Sequence, residues 1–173
     1  MQLISTAFDF NEPMPRRYSG QGKDISPPLQ WSDLPRDCQS LALICEDPDA
    51  ADKPDRDYPI THWMIYNISP SIRSLAENLG HDELVSLLRI SQARNSLDEI
   101  GYSGPRPPEN DQPHRYVFTL IALDIDRLAP PGVRHNLVRE CMQGHILQTA
   151  KLIGTYEYDQ PEIKSFLQRP LSL

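Results

Sequence analysis

Between Gly101 and Phe118 the chain reads GYSGPRPPENDQPHRYVF, a stiff loop that runs directly into an apolar strand. Pro105, Pro107 and Pro108 fix φ and remove three backbone donors, while Gly101 and Gly104 permit angles or close backbone approaches that a side chain would prevent. His114 and Tyr116 follow two residues apart, and in a strand they share a face. Both can donate hydrogen bonds, and an imidazole holds a proton near neutral pH when an anion is close. On their own these two residues read as the end of a strand and a core phenol, so other strand ends must decide what they are for. Asp47 and Asp49 close one apolar run as DPD, and His62 opens another in THW. Two carboxylates beside two imidazoles would raise the imidazole pKa values and orient the rings, letting each present an N–H to a bound anion. The phenol and nearby backbone N–H groups would add donors. Asp47, Asp49, His62, His114 and Tyr116 are the candidate anion-binding residues, around a small, preformed concavity that the Gly104 loop closes with a proline-rich wall.

The same cluster admits other chemistry. Two His and a carboxylate form a familiar open metal-site set, although no HExxH or comparable helical pair is present. Cys45 or Ser103 near His62 or His114 could pair a nucleophile with a base, although no GxSxG frame surrounds either. His145 reads as a core or cap residue, and His81 and His135 as solvated. Cys38, Cys45 and Cys141 are odd in number and at no metal-ligand spacing, which points to reduced, mostly buried thiols.

The elements that must position these groups follow from periodicity. Ser40 to Glu46 and Tyr116 to Leu123 are apolar on both faces, as strands covered on both sides are, and Thr61 to Ile68 is a third strand rich in aromatic and β-branched residues. Gln2 to Ala7 predicts a short opening strand. Asn11 to Trp31, with four prolines and two glycines, predicts a long shaped loop anchored by Trp31. Leu84, Leu87 and Leu88 are spaced for a short amphipathic helix within His81 to Arg94. A main helix is expected over Asn136 to Ile153, ended by Gly154 and followed by a closing strand in TYEY. The architecture that results is a mainly β, mostly antiparallel β-sandwich with one or two peripheral helices.

Composition narrows the function. A chain of 173 residues can bury a proper core as one domain. Its 17 prolines are spread between apolar runs, so they shape loops on a β-rich body. The 24 acidic against 17 basic side chains, with no basic run, argue against nucleic acid and against an anionic membrane surface as partners. No window approaches a membrane span and MQLISTAFDF lacks the features of a signal peptide, so a cytoplasmic location is expected.

ISPPLQW, DPDAA, THWMIYN, GYSGPRPP, HRYVFTLIALD and GHILQTAKLIGTY occur here in that order. With them the chain resembles the phosphatidylethanolamine-binding protein family, in its bacterial and archaeal branch often described as Raf kinase inhibitor-like. The resemblance runs over residues 1–158 as one domain and leaves residues 159–173 as a tail of open role. It implies a β-sandwich with a small anion pocket at one end, no cofactor and no established catalysis. It also implies a phosphoryl or phospholipid head-group-like ligand, a kinase or protease as possible protein target, and a homodimer. The family's pocket residues fall on Asp47, Asp49, His62, Gly104, Pro107, Pro108, His114 and Tyr116. This sequence departs from the family pattern at Ala51, where a proline is usual, and in NSLDEIGY, where Leu97 and Asp98 replace an aromatic residue and a glycine. The cysteine usual after YS near the N-terminus is also absent. A carboxylate at position 98, near the mouth, is expected to weaken anion binding.

Overall fold

The computed structural model describes residues 1–50, 59–109 and 111–158. Ten strands and one α-helix follow in chain order: β1 (Gln2–Ile4), β2 (Glu12–Pro13), β3 (Leu29–Ser32), β4 (Ser40–Asp47), β5 (Ile60–Ile68), β6 (Ser74–Leu75), β7 (Leu84–Val85), β8 (Ile90–Gln92), β9 (His114–Leu123), α1 (His135–Met142) and β10 (Ile146–Tyr156). A seven-stranded sheet runs β2-β10-β9-β4-β5-β8-β7, and a three-stranded sheet runs β1-β3-β6. Neighbours are antiparallel except β2 and β10.

The two apolar faces of β4, β5 and β9 each have a cover. Leu41, Leu43, Cys45, Trp63, Ile65, Phe118 and Leu120 pack with Leu3, Leu29, Trp31 and Leu75 of the small sheet. Ala42, Ile44, Met64, Tyr66, Ile121 and Leu123 pack with Val138 and Met142 of α1. This is why these strands show no polar alternation. Trp31 anchors the long loop as expected, its indole N–H donating to the Ile72 carbonyl at 2.9 Å. Among the described residues, no helix is long and apolar enough to cross a membrane.

Two helical expectations fail. His81 to Arg94 holds β7 and β8 as a tight hairpin; Leu87, which completes the apparent stripe, is 99% exposed, and Arg89 turns the chain at φ 54°. Ile90, Ser91 and Gln92 are instead buried, with β8 paired against β5. The expected main helix stops at Met142, because Gly144 at φ 82° reverses the chain and Ile146 onward pairs with β9. Gly154, read as the terminator, lies inside β10. The opening strand is shorter than expected, ending at Ile4. His145 sits in the turn before β10, half exposed, with Nδ1 2.8 Å from Asp124. His135, expected in solvent, is buried beside Ser96, whereas His81 is exposed.

Gln92 fastens β8 beside β5: its Oε1 accepts the Trp63 indole N–H at 2.9 Å, and its Nε2 donates to the Gly80 and Asp82 carbonyls. Gln92→Ala would leave the buried Trp63 N–H without its acceptor and open a void. The expected loss is about 2–4 kcal/mol, read from the midpoint of urea unfolding; a change below about 0.5 kcal/mol would contradict this role.

Candidate functional site

The candidate side chains stand where three central strands meet on one rim. Antiparallel pairing puts the end of β4 beside the starts of β5 and β9, with Asp47 opposite Ile60 and Glu46 opposite Val117. Asp47, His62 and His114 thereby converge, each 3–5% exposed. A cavity of about 350 Å³ opens there, lined by Asp47, Ala50, Ile60, His62, Leu97, Gly104, Arg106, Pro107, Pro108, Asp111, His114 and Tyr116.

Asp47 is the centre of the hydrogen bonding. Its Oδ1 accepts the N–H groups of Asp49 and Ala50 at 2.8 and 2.9 Å, the turn in which an Asp side chain mimics a backbone carbonyl. Its Oδ2 faces His114 Nδ1 at 2.8 Å, and His114 Nε2 faces Asp111 Oδ2 at 3.3 Å. Only an imidazolium can donate to both carboxylates at once. Burial opposes charge on His114, but the bonds and fields of Asp47 and then Asp111 outweigh it and raise its pKa above the ordinary histidine value.

His62 differs from expectation. Its pKa is lowered, first by burial, which the Ser103 carbonyl and the more remote Asp47 do not offset. Its Nδ1 lies 2.7 Å from Ser103 O, and a carbonyl can only accept, so Nδ1 carries the proton and the neutral ring keeps Nε2 as an acceptor. Tyr116 meets the His62 ring edge to face at 5.2 Å. Burial first, and then the Asp47 charge, push the Tyr116 phenol far above its ordinary value, so the O–H keeps its proton at the cavity wall.

The glycine–proline loop is locked from behind. A side chain at Gly104 would collide with the Tyr18 carbonyl and Asp24 Oδ1, and the Gly104 N–H donates to that same oxygen at 2.6 Å. Arg106 pairs with Asp24 Oδ2 and lines the cavity. Asn95, fully buried, donates to the His62 and Gly101 carbonyls and to Ser103 Oγ, while its Oδ1 accepts the Leu97 and Glu99 N–H groups. One amide thus joins β5 to both flanking loops.

Seven of the eight candidate residues line the cavity; Asp49 does not. Its carboxylate takes the Arg115 backbone N–H at 2.9 Å and the guanidinium at 2.7 and 2.8 Å, which holds its pKa below the usual carboxylate range. Asp98 also lies outside the lining. It adopts φ 65°, a region Asp tolerates better than most residues, and its carboxylate pairs with Arg134 at 2.8 Å, so the expected repulsion at the mouth does not arise from it. Leu97 does line the cavity. Ala51 and residues 159–173 lie outside the described residues. Sequence reasoning missed Arg106, Asp111, Asp24 and Asn95. The first two carried a signal, being charges set between prolines and just before His114 in the loop.

Neither nucleophile considered from the sequence is free to act. Burial pushes the Cys45 thiol well up, and the Ser103 hydroxyl donates to Glu99 at 2.6 Å while accepting from Asn95. Among the described residues, no group of three His, Cys, Asp or Glu is arranged to hold a metal ion.

The two histidines should give stability opposite pH dependences. His114, raised when folded, contributes stability that is full below the unfolded value of about 6.5 and is lost as pH rises through its higher folded value. His62, lowered when folded, penalises the fold as pH falls below about 6.5. In urea unfolding at pH 5.5 and 8.5, the deficit of His114→Gln against wild type should shrink at the higher pH and that of His62→Gln should grow. Parallel slopes would contradict the assignment.

A family model described as phosphatidylethanolamine-binding protein matches residues 4–157. A UPF0098 protein of Chlamydia muridarum is 45% identical over 159 residues, covering 92% of this chain and 100% of its own. One from Methanothermobacter thermautotrophicus is 42% identical over 156 residues, covering 90% and 98%. Among solved structures, a phosphatidylethanolamine-binding protein homologue from Chlamydia trachomatis superposes with TM-score 0.79 at 44% identity, over 91% of this chain and 97% of that one. YbcL of Escherichia coli, described as a member of the mammalian family, gives TM-score 0.82 at 27% identity, over 91% and 98%. With its fold, its ordered motifs and these relatives in agreement, the chain belongs to the phosphatidylethanolamine-binding protein family, in its bacterial and archaeal branch.

Proposed function

We propose that this protein is a binding module for a small anion of the phosphoryl or phospholipid head-group type, held without turnover by one domain over residues 1–158. The observation that carries this reading is His114, clamped as a donor by the buried Asp47 at the wall of a preformed cavity. His114 supplies an imidazolium N–H, Arg106 a guanidinium at the rim, and neutral His62 an acceptor at Nε2. That set suits a hydrogen phosphate monoester, which accepts through its charged oxygens and donates through its P–O–H. Ile60, Leu97, Pro107 and Pro108 offer apolar wall to whatever the phosphoryl group is attached to. Gly104 and Asp47 set the shape and the charge, and Tyr116 adds a protonated phenol to the wall.

In the cell, such a module acts by occupancy: we place it in the cytoplasm, as a homodimer, regulating a kinase or protease whose binding follows the state of the pocket. Neither nucleic acid nor an integral membrane contact is part of this reading, in keeping with the net charge of −7.

Calorimetry of metal-free protein with inorganic phosphate and with O-phosphorylethanolamine tests it. Binding is expected to weaken between pH 5.5 and 8 as His114 loses its proton, although phosphate itself gains charge over that range. His114→Ala and His62→Ala should each lower affinity about ten- to hundredfold, the worth of one charge-assisted hydrogen bond or one lost polar partner. Unchanged affinity in both variants would overturn the reading.

A further inference from the structure

His114 meets two carboxylates, and only one of them is fixed. Asp47 is buried and fully engaged, whereas the Asp111 side chain is 47% exposed and touches His114 Nε2 at 3.3 Å. Asp111 sits three residues before His114 on a short turn: its own N–H donates to the Pro108 carbonyl at 3.3 Å, and its Oδ1 accepts the Gln112 N–H at 2.8 Å. Pro108 and Pro113 bracket this turn, so the carboxylate is tethered closely to the ring it faces. Asp111 lines the same cavity as His62, Arg106 and Tyr116. Nε2 is also the one nitrogen of His114 that Asp47 leaves for a ligand.

We propose that Asp111 is a built-in stand-in for the ligand: its carboxylate holds the place of the ligand's anionic oxygen on His114 Nε2 and must swing out for an anion to bind. The inference rests on the reading of the cavity as an anion site. It makes Asp111 the residue that sets the affinity threshold and selectivity of the cavity. A group on so short a tether competes at an effective concentration of about millimolar, so an anion offering only a single contact to His114 gains little by displacing it. A ligand that also uses Arg106, His62 and the apolar wall does displace it. Were Asp111 to stay in place, a second anion would meet Asp47, Asp111 and Asp24 against His114 and Arg106 alone, a net repulsion.

The charged groups facing His114 are Asp47 from the end of β4 and Asp111 from the turn, with His62 from β5 and Asp49 through Arg115 further off. Removing Asp111 therefore has two effects of opposite sign. The competitor disappears, and the free ring loses part of what keeps it protonated. The first acts at every pH, and the second only where the ring would otherwise hold its proton through Asp111.

The experiment is calorimetric binding of inorganic phosphate to full-length, metal-free wild type, Asp111→Asn and Asp111→Ala at pH 5.5 and 8, with His114 followed by NMR titration in the unliganded proteins. Comparison at one pH cancels the titration of phosphate itself. Both variants should bind phosphate about fivefold more tightly than wild type at pH 5.5, with the gain shrinking at pH 8, and their His114 should titrate lower than in wild type. A merely structural role would weaken binding at both pH values and leave the His114 titration in place. Wild-type binding with equal or weaker binding by both variants overturns this inference alone and leaves the anion site standing, as does an unmoved His114 titration. Absence of phosphate binding by all three proteins at both pH values overturns the anion reading and this inference with it.

Discussion

The Asp47 carboxylate is the constraint from which the site is built. Its two oxygens do separate work: one closes the turn that takes the chain out of β4, and the other holds His114 at the start of β9. Because the group is buried, its charge must be matched, and His114 is the matching cation. Removing one member of such a buried pair costs about 3–5 kcal/mol, since the other is left charged and unpaired. Shape and charge at the rim are therefore fixed by one interaction.

What brings that pair together is the order of strands. β4 lies between β5 and β9, and antiparallel pairing places its C-terminal end against both of their N-terminal ends. Three residues far apart in sequence then meet without any long side chain reaching across. The loop from Gly101 to Pro108 completes the cavity from outside the sheet, and it needs fastening because prolines cannot donate to the strands beside it. Asn95 and Asp24 provide the bonds: Asn95 ties the loop to the backbone of His62, and Asp24 ties it to the long N-terminal segment. Two histidines in one cavity end up with opposite protonation tendencies, because the Asp47 and Asp111 carboxylates outweigh burial at His114 whereas burial prevails at His62.

Much of this was legible in the sequence, for physical reasons that also explain the failures. β4, β5 and β9 are apolar on both faces, a pattern that survives whatever covers them, and His62 and His114 could be placed at strand starts from it. The hairpin of β7 and β8 and the long β10 were misread as helix, since short apolar runs fit either period and tertiary pairing decides between them. Gly144, and not Gly154, is the signal in the sequence for the end of α1. The position of Asp49 was out of reach, because the sequence does not tell which carboxylate of DPD turns inward; Arg115, next to His114 in sequence, claims the outer one. Asn95 was invisible for a similar reason, as a polar residue in a polar loop whose five bonds exist only once the strands are assembled.

The most direct measurement is an NMR titration of the His114 ring in wild type and in Asp47→Asn, with chemical denaturation confirming that the variant is folded at each pH. In wild type His114 should titrate above about 6.5, and in the variant its pKa should fall, since an amide gives a hydrogen bond without the charge. A His114 that titrates below about 6.5 in wild type, or at the same pH in both proteins, would contradict the claim that Asp47 charges and organises this site.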